Sequence, residues 1–479
     1  MIDTSSALQE GTWDLVVVGH GFAGLTAARA YQEEAARQGW RPRVAVLERA
    51  SEAERGGSTR WTTANLQMTR EGQLRPFWGD RVRRTAGELA NDRYIESFYR
   101  YVPETINWIQ GHGVDVERIE FGALPDGSWR LSGGGKALMD ALEPAIKADG
   151  GSLFYETKAM RLIRGTAGSI EGLEVETATG ERVVMVTAAV VLACGGFEGN
   201  PEMLARYFPN AHQLKTVSPG TRNNKGDGIR MAIEIGADTA GQFDGAHLEP
   251  CDPRSPGVEP IVSTYRYGIL VNQSGKRFID EAYETLDIHF DTVANTIFRE
   301  QGNLAYAIND SAQATHPGFH NLSEVEPITA ASIEELAVAL GIDPVELRRT
   351  VDVFNASIDD RVDFDPNVPL DGRSTRGITP AKSNNALALK TGPFMAWPVS
   401  AQICFTYGGL KVDGESRVID TDGRAIPGLY AAGEIAGIFY EQYPSGTSGL
   451  RSMTFGRRAG VTSAQELIAI RRDERPVLA

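Results

Sequence analysis

The residues best suited to chemistry lie near the start of the chain, in a glycine turn and an acid. Gly19, Gly21 and Gly24 stand between a valine-rich run and a segment with helical spacing, and Glu48 ends the next apolar run. This context completes the dinucleotide fingerprint, in which the glycines make a tight turn, admit a pyrophosphate and pack helix on strand. The acid would bind a ribose, and the free N–H groups of the helix start would favour phosphate charge.

A second group of donors follows within eight residues of Glu48. Residues 56–65 read GGSTRWTTAN and combine paired glycines with hydroxyl side chains. A cofactor that lies extended from the first turn would run its phosphates and ring over these groups. The alternative is a plain polar surface loop.

Apolar runs place these motifs on an α/β framework. Runs at residues 13–18 and 43–47 flank a helix at about 25–38, which is a βαβ unit and implies a parallel sheet covered by helices. Later runs at 183–193 and 427–432 are predicted to return to that sheet. The chain between them is rich in turns, and we expect an inserted second domain there.

Composition excludes several classes of protein. The 479 residues carry a net charge of −15, so general binding of nucleic acid is not expected. No apolar run approaches the roughly 20 residues that span a bilayer, and no secretory signal is visible. Three widely spaced cysteines predict neither a disulfide framework nor a metal site, and they favour the cytoplasm. The 52 glycines must serve turns and close backbone approach.

Six motifs in order resemble the flavoprotein family of fumarate reductase and succinate dehydrogenase. They are VVVGHGFAGLTAA, ERASEAERGGSTRW, AAVVLACGGFEGNPEM, YGILVNQSGKRFIDE, TYGGLKVD and IPGLYAAGEIAG, which begin at residues 16, 48, 188, 267, 406 and 426. The resemblance covers nearly the whole chain. Within the family, residues 439–450 are most similar to tricarballylate dehydrogenases.

The resemblance implies a Rossmann-like FAD-binding domain with an inserted α+β capping domain. We assign residues 1–243 and 394–479 to the FAD-binding domain and 244–393 to the cap. FAD is expected to be bound non-covalently, because no histidine aligns with a covalent attachment site. The predicted cofactor-binding residues are Gly19, Gly21, Phe22, Ala23, Gly24, Glu48, Arg49, Gly56, Gly57, Ser58, Thr59, Thr63, Ala64, Asn65, Ala159, Ala193, Gly195, Gly433, Glu434, Ser448, Gly449 and Leu450.

Three polar substrate groups of fumarate reductases are missing. Leu286 stands where those enzymes have a proton-delivering arginine, Cys404 where they have a histidine, and Tyr443 and Pro444 near the place of a second arginine. A buried carboxylate without cationic partners is costly. Fumarate reduction and a doubly anionic substrate are therefore not expected. Cys404 itself is a candidate pocket-lining residue.

Arginine and tyrosine side chains are the candidate replacements. Arg266, Tyr267, Tyr407 and Tyr443 lie near the motifs, and a phenol can donate to a carbonyl or, as phenolate, abstract a proton. Aromatic packing is the alternative for each tyrosine, and a surface ion pair is the alternative for Arg266.

The expected protein is an FAD-dependent dehydrogenase that desaturates a C–C bond next to a carbonyl or carboxylate. Its partner is a small-molecule substrate, and the sequence leaves the electron acceptor and the oligomeric state open. The alternatives are an ene reductase, a 3-ketosteroid dehydrogenase-like enzyme, and an electron-transfer flavoprotein subunit.

Overall fold

The computed structural model describes residues 4–119, 128–316 and 318–473. The helices are α1 (Thr4–Gln9), α2 (Phe22–Arg37), α3 (Phe77–Ala86), α4 (Asp92–Gly111), α5 (Gly134–Ala148), α6 (Pro201–Tyr207), α7 (Asp227–Glu234), α8 (Leu286–Glu300), α9 (Ile333–Leu340), α10 (Pro344–Ser357) and α11 (Ser448–Asp473). Within the described ranges, none of these helices is long and apolar enough to cross a membrane.

The strands form five sheets. The first half of the chain contributes β1 (Thr12–Trp13), β2 (Leu15–Val18), β3 (Val44–Leu47), β4 (Asn65–Leu66), β5 (Val116–Ile119), β6 (Ser128–Leu131), β7 (Ser152–Phe154), β8 (Lys158–Arg164), β9 (Ile170–Glu176), β10 (Arg182–Thr187), β11 (Val190–Leu192), β12 (Lys215–Thr216) and β13 (Thr239–Ala240). The rest are β14 (Ala246–Cys251), β15 (Ile269–Asn272), β16 (Ala305–Asp310), β17 (Ile328–Ala330), β18 (Phe394–Thr406), β19 (Gly409–Leu410), β20 (Arg417–Ile419) and β21 (Ala425–Ala431).

A six-stranded sheet carries the glycine turn. Its order is β20-β21-β11-β2-β3-β7, and every neighbouring pair is parallel except β20 with β21. All four residues of β2 and of β3 are buried, as expected for strands covered on both faces. Helix α2 joins β2 to β3, which confirms the predicted βαβ unit and the α/β fold class.

Two predicted strands each divide between sheets. Residues 13–18 contain the end of β1, which pairs with β10, and β2, which pairs with β11 and β3. Residues 183–193 contain most of β10 and all of β11, and only β11 lies in the parallel sheet. The residues of β10 alternate between exposed and buried, as in a sheet with one face in solvent, whereas β11 is buried throughout. This difference explains why the two strands lie in different sheets.

A second large sheet is built on the 13-residue strand β18. This strand pairs with β12, β14, β16 and β17, and β15 adds to β16 at the edge. The sheet therefore joins strands from the predicted cap to a strand that begins at the expected boundary of 393/394. That boundary and the one at 243/244 remain predictions.

Among the described residues, the apolar core contains three clusters. The largest fills the space around the parallel sheet and α2, α4, α5 and α11, and it extends to β14 and β18 through residues such as Leu248 and Ile403. Two smaller clusters lie around β15 and β16, one against α9 and α10 and the other against α8. The large cluster therefore joins the two large sheets.

Candidate cofactor and substrate site

A deep cleft opens at the carboxyl ends of the parallel strands. Gly19 follows β2, Glu48 follows β3 and Ala193 follows β11, and all three residues line it. In open parallel sheets this edge is the usual position of a bound nucleotide. We call the part lined by Gly19, Gly21, Glu48 and Gly56 the nucleotide side.

The glycine turn leaves no room for side chains. Gly19 has φ +113°, and a Cβ there would lie 2.2 Å from the carbonyl oxygen of Ala193. A Cβ on Gly24 would lie 1.9 Å from the carbonyl oxygen of Gly19. Gly21 is the N-cap of α2 and gives it no side-chain cap, while Thr59 accepts a hydrogen bond from the Phe22 amide at 2.9 Å. The turn therefore presents backbone and the start of a helix to the cleft, as a pyrophosphate requires.

Glu48 is fixed by the second glycine block. Its Oε1 accepts from the Ala50 amide at 2.8 Å and its Oε2 from the Gly56 amide at 3.3 Å. Burial raises the pKa of this carboxyl group. The next residue, Arg49, pairs with Asp227 at 2.8 Å across the cleft mouth. An oriented acid beside two glycine turns fits the ribose and pyrophosphate of a dinucleotide.

Most of the predicted cofactor residues line this cleft. They are Gly19, Gly21, Phe22, Ala23, Glu48, Arg49, Gly56, Gly57, Ser58, Thr59, Ala159, Ala193, Gly195, Gly433, Glu434, Ser448 and Gly449. Although they come from six stretches of chain, the fold brings them to one surface.

Five predicted residues lie outside the lining, and each has another role in the fold. Gly24 packs α2 on β2, and Leu450 is fully buried in the core. Asn65 pairs with Arg130 in the small β4–β6 sheet, and the buried Ala64 precedes it with φ +55°. Thr63 stands beside them in the chain. The sequence motifs therefore include these five residues although their side chains do not line the cleft.

Two carboxyl groups lie close together where Glu434 lines the cleft, with Glu198 buried beside it. Glu434 accepts hydrogen bonds from the Thr406 amide at 2.9 Å and from Asn224 at 3.3 Å, and Asn224 also donates to Glu198 at 2.6 Å. Burial and the neighbouring charge of Glu434 hold the pKa of Glu198 well above its usual range. Asn224 is shared between the two acids.

The start of α11 is closed by a tyrosine. The Tyr443 hydroxyl accepts hydrogen bonds from the amides of Thr447 at 2.7 Å and Ser448 at 2.6 Å. Burial raises the pKa of this phenol. Ser448 and Gly449 line the cleft beside it. Tyr443 thus anchors the helix that the resemblance places at the pyrimidine edge of a flavin.

The opposite wall of the cleft comes from the β18 sheet. We call Val217, Ser218, Glu259, Cys404 and Phe405 the cap-side wall. Cys404 and Phe405 lie on β18, and Val217 follows β12, which pairs with it. Cys404 therefore lines the cleft, as the resemblance suggested.

A buried histidine network lies directly behind this wall. His247 Nδ1 is 2.8 Å from an Asp291 carboxylate oxygen. A ring nitrogen of His247, a carboxylate oxygen of Glu249 and the Cys404 Sγ all lie within 4.8 Å of one another. The Tyr407 hydroxyl donates to the second oxygen of Asp291 at 3.3 Å. Burial alone would lower the pKa of His247, but bonds and charges from Asp291 and Glu249 raise it to about 9. The imidazole is therefore protonated at neutral pH.

Glu259 brings a carboxyl group to the cap-side wall in a strained backbone conformation. Its φ is +50°, which costs a residue with a side chain about 1–2 kcal/mol. Its amide donates to the Val217 carbonyl at 3.1 Å. Burial and the charge of Glu249 raise its pKa to about 8. A non-glycine residue kept in this conformation at a cleft is a marker of function.

The comparisons with known proteins agree with this geometry. Residues 14–450 match the family model described as FAD binding domain. The chain belongs to this FAD-binding family. The predicted FAD cofactor and the resemblance to fumarate reductase flavoproteins are thereby confirmed.

Individual relatives of this FAD-binding protein are reductases and dehydrogenases. It is 27% identical to vinyl phenol reductase from Lactiplantibacillus plantarum, covering 95% of this chain and 97% of that one. It is 32% identical to 4-oxocyclohexanecarboxylate 2-dehydrogenase from Sinomonas cyclohexanicum, over 69% of this chain and 61% of that one. The chain spans only 39% of NADH:acrylate oxidoreductase from Vibrio harveyi, to which it is 29% identical over 83% of its own length. These relatives are oxidoreductases of the predicted class.

The fold also matches a solved structure. The open conformation of a flavocytochrome c3 fumarate reductase superposes with a TM-score of 0.74 at 22% identity, covering 96% of this chain and 79% of that one. This likeness confirms the fumarate reductase-like fold.

None of the four candidate catalytic residues of the FAD-binding protein is among the residues that line the cleft. Arg266 is buried and donates to the carbonyls of Glu284, at 2.8 Å, and Pro369, and burial lowers its pKa. Tyr267 packs on His316 and Phe364, with ring centroids 5.9 and 6.2 Å away. Tyr407 and Tyr443, in contrast, lie beside His247 behind the cap-side wall. The structure therefore brings two of the four together.

Sequence reasoning missed the residues that hold the cap-side wall together. His247 and Glu249 alternate on β14, where this spacing places them on one face of a strand, and this is the signal that sequence offered. Glu259 gives no such signal, because its positive φ is set by contacts with distant chain. Arg451 was also missed; its guanidinium donates to the carbonyls of Gly433 at 3.1 Å and Ala436 at 3.2 Å.

Proposed function

We propose that the protein uses FAD to exchange a hydride with a substrate C–C bond next to a carbonyl or carboxylate, in the manner of tricarballylate dehydrogenases. The observation that carries this proposal is the cleft. Its nucleotide side fits a dinucleotide, and its cap-side wall places titratable groups opposite. Relatives that act as reductases and as dehydrogenases support the same reaction class, and the direction of the reaction is an outcome of the experiment below.

Bound FAD would supply the two-electron chemistry, and the chain would supply orientation and a proton. The residues that would hold the cofactor are the seventeen predicted positions that line the cleft, with Glu48 at the ribose. Of the original acid–base candidates, Tyr407 and Tyr443 lie around the His247 network, and we propose that they position it, since Tyr407 donates to Asp291 and Tyr443 packs on His247. We propose structural roles for Arg266 and Tyr267, since both are engaged inside the cap.

A non-covalent FAD is part of this proposal. Among the cleft-lining residues, the cysteines and the histidine are Cys194, Cys404 and His20. Burial raises the pKa of Cys194 to about 12 and that of Cys404 well above its usual range, so thiolate is scarce. His20 packs against Tyr155, with ring centroids 5.7 Å apart, and lies 3.6 Å from a Glu143 carboxylate oxygen. Three free cysteines also support the proposed cytoplasmic location.

The charge of the cap-side wall sets the substrate class. Glu259 lies in this wall and Glu249 behind it, whereas the buried Arg451 is engaged with backbone carbonyls. Glu259, with a pKa of about 8, is largely neutral at pH 7, and protonated His247 is already paired with Asp291. A doubly anionic substrate would therefore bury its second charge without a free cationic partner on this wall. We therefore propose a neutral or singly charged substrate.

Anaerobic flavin absorbance tests the proposed function. The FAD-loaded protein is mixed with saturated acids and 3-ketosteroids, and the photoreduced protein with α,β-unsaturated acids, enones and vinyl phenols. We expect bleaching in the first set or recovery of the oxidised spectrum in the second, and weak responses to tricarboxylates. A protein that takes up no FAD on reconstitution, or whose flavin responds to none of these compounds, contradicts the proposal.

A further inference from the structure

Glu259 places a carboxyl group on the cleft wall, where it has no evident structural partner among the described residues. In the described part of the chain its carboxyl oxygens have no hydrogen bond or ion pair, although the side chain is half-buried and lines the cleft. A buried acid with a structural role in this protein has bonded partners. Glu281, for example, is tied to Arg277 and to the Leu270 amide. Glu259 is placed so that a molecule in the cleft can reach it.

The backbone around Glu259 is held in a conformation that residues with a side chain rarely adopt. The residue has φ +50°, and its amide is fixed by the Val217 carbonyl while its carbonyl accepts from the Ile261 amide at 2.7 Å. Cys251 bridges to Ile261 as an isolated β-bridge, which ties the turn to the end of β14. The strained turn thus carries the carboxyl group to the wall formed by Val217 and β18.

Titratable groups face Glu259 from three elements. Strand β14 supplies His247 and Glu249, β18 supplies Cys404, and α8 supplies Asp291 behind His247. Glu249 favours the protonated form of Glu259, and protonated His247 opposes it. The balance leaves a carboxyl group with a pKa of about 8, which exchanges its proton in the neutral range.

We propose that Glu259 is the acid–base group of the flavin reaction, and that His247, held by Asp291, is a positioning residue that tunes it. This inference rests on the proposed function. In the reducing direction the O–H bond of Glu259 breaks, and its proton forms a C–H bond at one alkene carbon. The other carbon receives the hydride that reduced FAD supplies, the alkene π bond breaks, and FAD is oxidised. Glu259 is left as a carboxylate, which takes the proton back in the desaturating direction.

The arrangement predicts opposite pH optima for the two directions. Reduction needs the protonated acid and is favoured below pH 8, while desaturation needs the carboxylate and is favoured above it. The phenols of Tyr407 and Tyr443 do not fill this role in the neutral range, because burial raises the pKa of both.

A substrate-free titration of the FAD-loaded full chain tests the inference. A carboxyl group that gains charge beside bound flavin changes its absorbance, so the wild type should show a transition near pH 8, distinct from the titration of His247 near pH 9. Glu259→Gln should abolish it, Glu259→Asp should retain it, and the exposed Glu324→Gln should match the wild type. His247→Asn should move the transition upward by about one pH unit, since a neighbouring positive charge is lost.

A transition near pH 8 that persists in Glu259→Gln overturns the inference while leaving the proposed function intact, whereas a transition near pH 9 that is lost in His247→Asn belongs to His247. Stoichiometric metal in the purified protein would also overturn it, since His247, Glu249 and Cys404 would then be occupied. A chain that binds no FAD overturns both proposals together. Anaerobic photoreduction of each variant shows that its flavin remains bound and reducible.

Discussion

The two sides of the cleft are built in different ways. The nucleotide side uses short motifs whose backbone does the work, as at Gly19, where a side chain would collide with Ala193. The cap-side wall uses side chains from distant segments, as where His247 meets Asp291 across 44 positions of sequence. The first side depends on the absence of side chains, and the second on their charge.

This difference separates what each side controls. Backbone contacts to phosphate and ribose are indifferent to the substrate, so the nucleotide side is suited to holding one cofactor across many enzymes. The cap-side wall carries Glu259, which a substrate would meet, and the buried network of His247, Glu249 and Asp291 lies behind it. Damage to the nucleotide side should therefore remove the cofactor, whereas changes in the cap-side wall should alter chemistry or stability and leave the cofactor bound.

The largest effect is expected from Gly19→Ala. The new Cβ would lie 2.2 Å from the Ala193 carbonyl oxygen, in a backbone region that disfavours side chains. We expect FAD content to fall below about a tenth of the wild-type value or the protein to fail to fold. The ratio of flavin to protein absorbance measures this. Gly111→Ala is the matched control, since nothing lies within 4 Å of its Cβ; equal FAD content in both variants would contradict the account.

Asp291→Asn should destabilise the protein and leave its FAD content unchanged. The substitution removes the partner of buried His247, for a cost of about 3 kcal/mol. The raised pKa of His247 means that the pair stabilises fully below pH 6.5 and is lost as pH rises through about 9. Urea unfolding should therefore show a large deficit at pH 6.5 and a small one above pH 9. A deficit that is independent of pH would show that the charge pair is not its cause.

Substitutions at Tyr443 and Tyr267 compare the start of α11 beside the cleft with the interior of the cap. Tyr443→Phe removes the acceptor for the Thr447 and Ser448 amides and should cost about 1–2 kcal/mol, with a shift in the flavin spectrum. Tyr267→Phe should change neither, because within the described residues its hydroxyl makes no hydrogen bond. Thermal melts and visible spectra of the FAD-loaded variants measure both effects. A spectral shift in Tyr267→Phe alone would reverse the assignment.

The smallest effect is expected from Glu259→Gln on thermal stability. The folded-state pKa of about 8 lies above the unfolded value of about 4.5, so the acid destabilises the fold progressively as pH rises from 4.5 to 8. The variant should match the wild type near pH 5 and melt about 2 °C higher near pH 8.5. Differential scanning calorimetry at the two pH values checks this, and a variant less stable at pH 8.5 would contradict it.

Much of the nucleotide side could be predicted from sequence, and the physical reason is local. A strand, a turn that only glycine fits and a helix start are contiguous in Gly19, Gly21 and Phe22, so a pattern specifies the geometry. Ala64, Asn65 and Leu450 do not line the cleft, because the chain turns there into a small sheet or the core, and their contacts with the cofactor stay predictions. The sequence pattern does not indicate which residue of a motif is the last to face the cleft.

The cap-side wall could be predicted only in part. Resemblance placed Cys404 in the pocket, and the strand position explains why. Arg266 seemed a candidate because it precedes a family motif, but carbonyls of the cap hold its guanidinium. The roles of His247 and Glu259 depend on contacts made by the folded sheet and on a positive φ, neither of which a linear pattern specifies.

Flavin reoxidation in Glu259→Gln tests the central claim most directly. Wild type and variant are loaded with equal FAD, photoreduced, and mixed anaerobically at pH 7 with the most reactive alkene of the panel. The account predicts equal FAD content and reoxidation slowed by about 10²-fold or more in the variant, because the proton donor is lost. Equal reoxidation rates, or a slow rate explained by lost FAD, would contradict the division of labour between the two sides of the cleft.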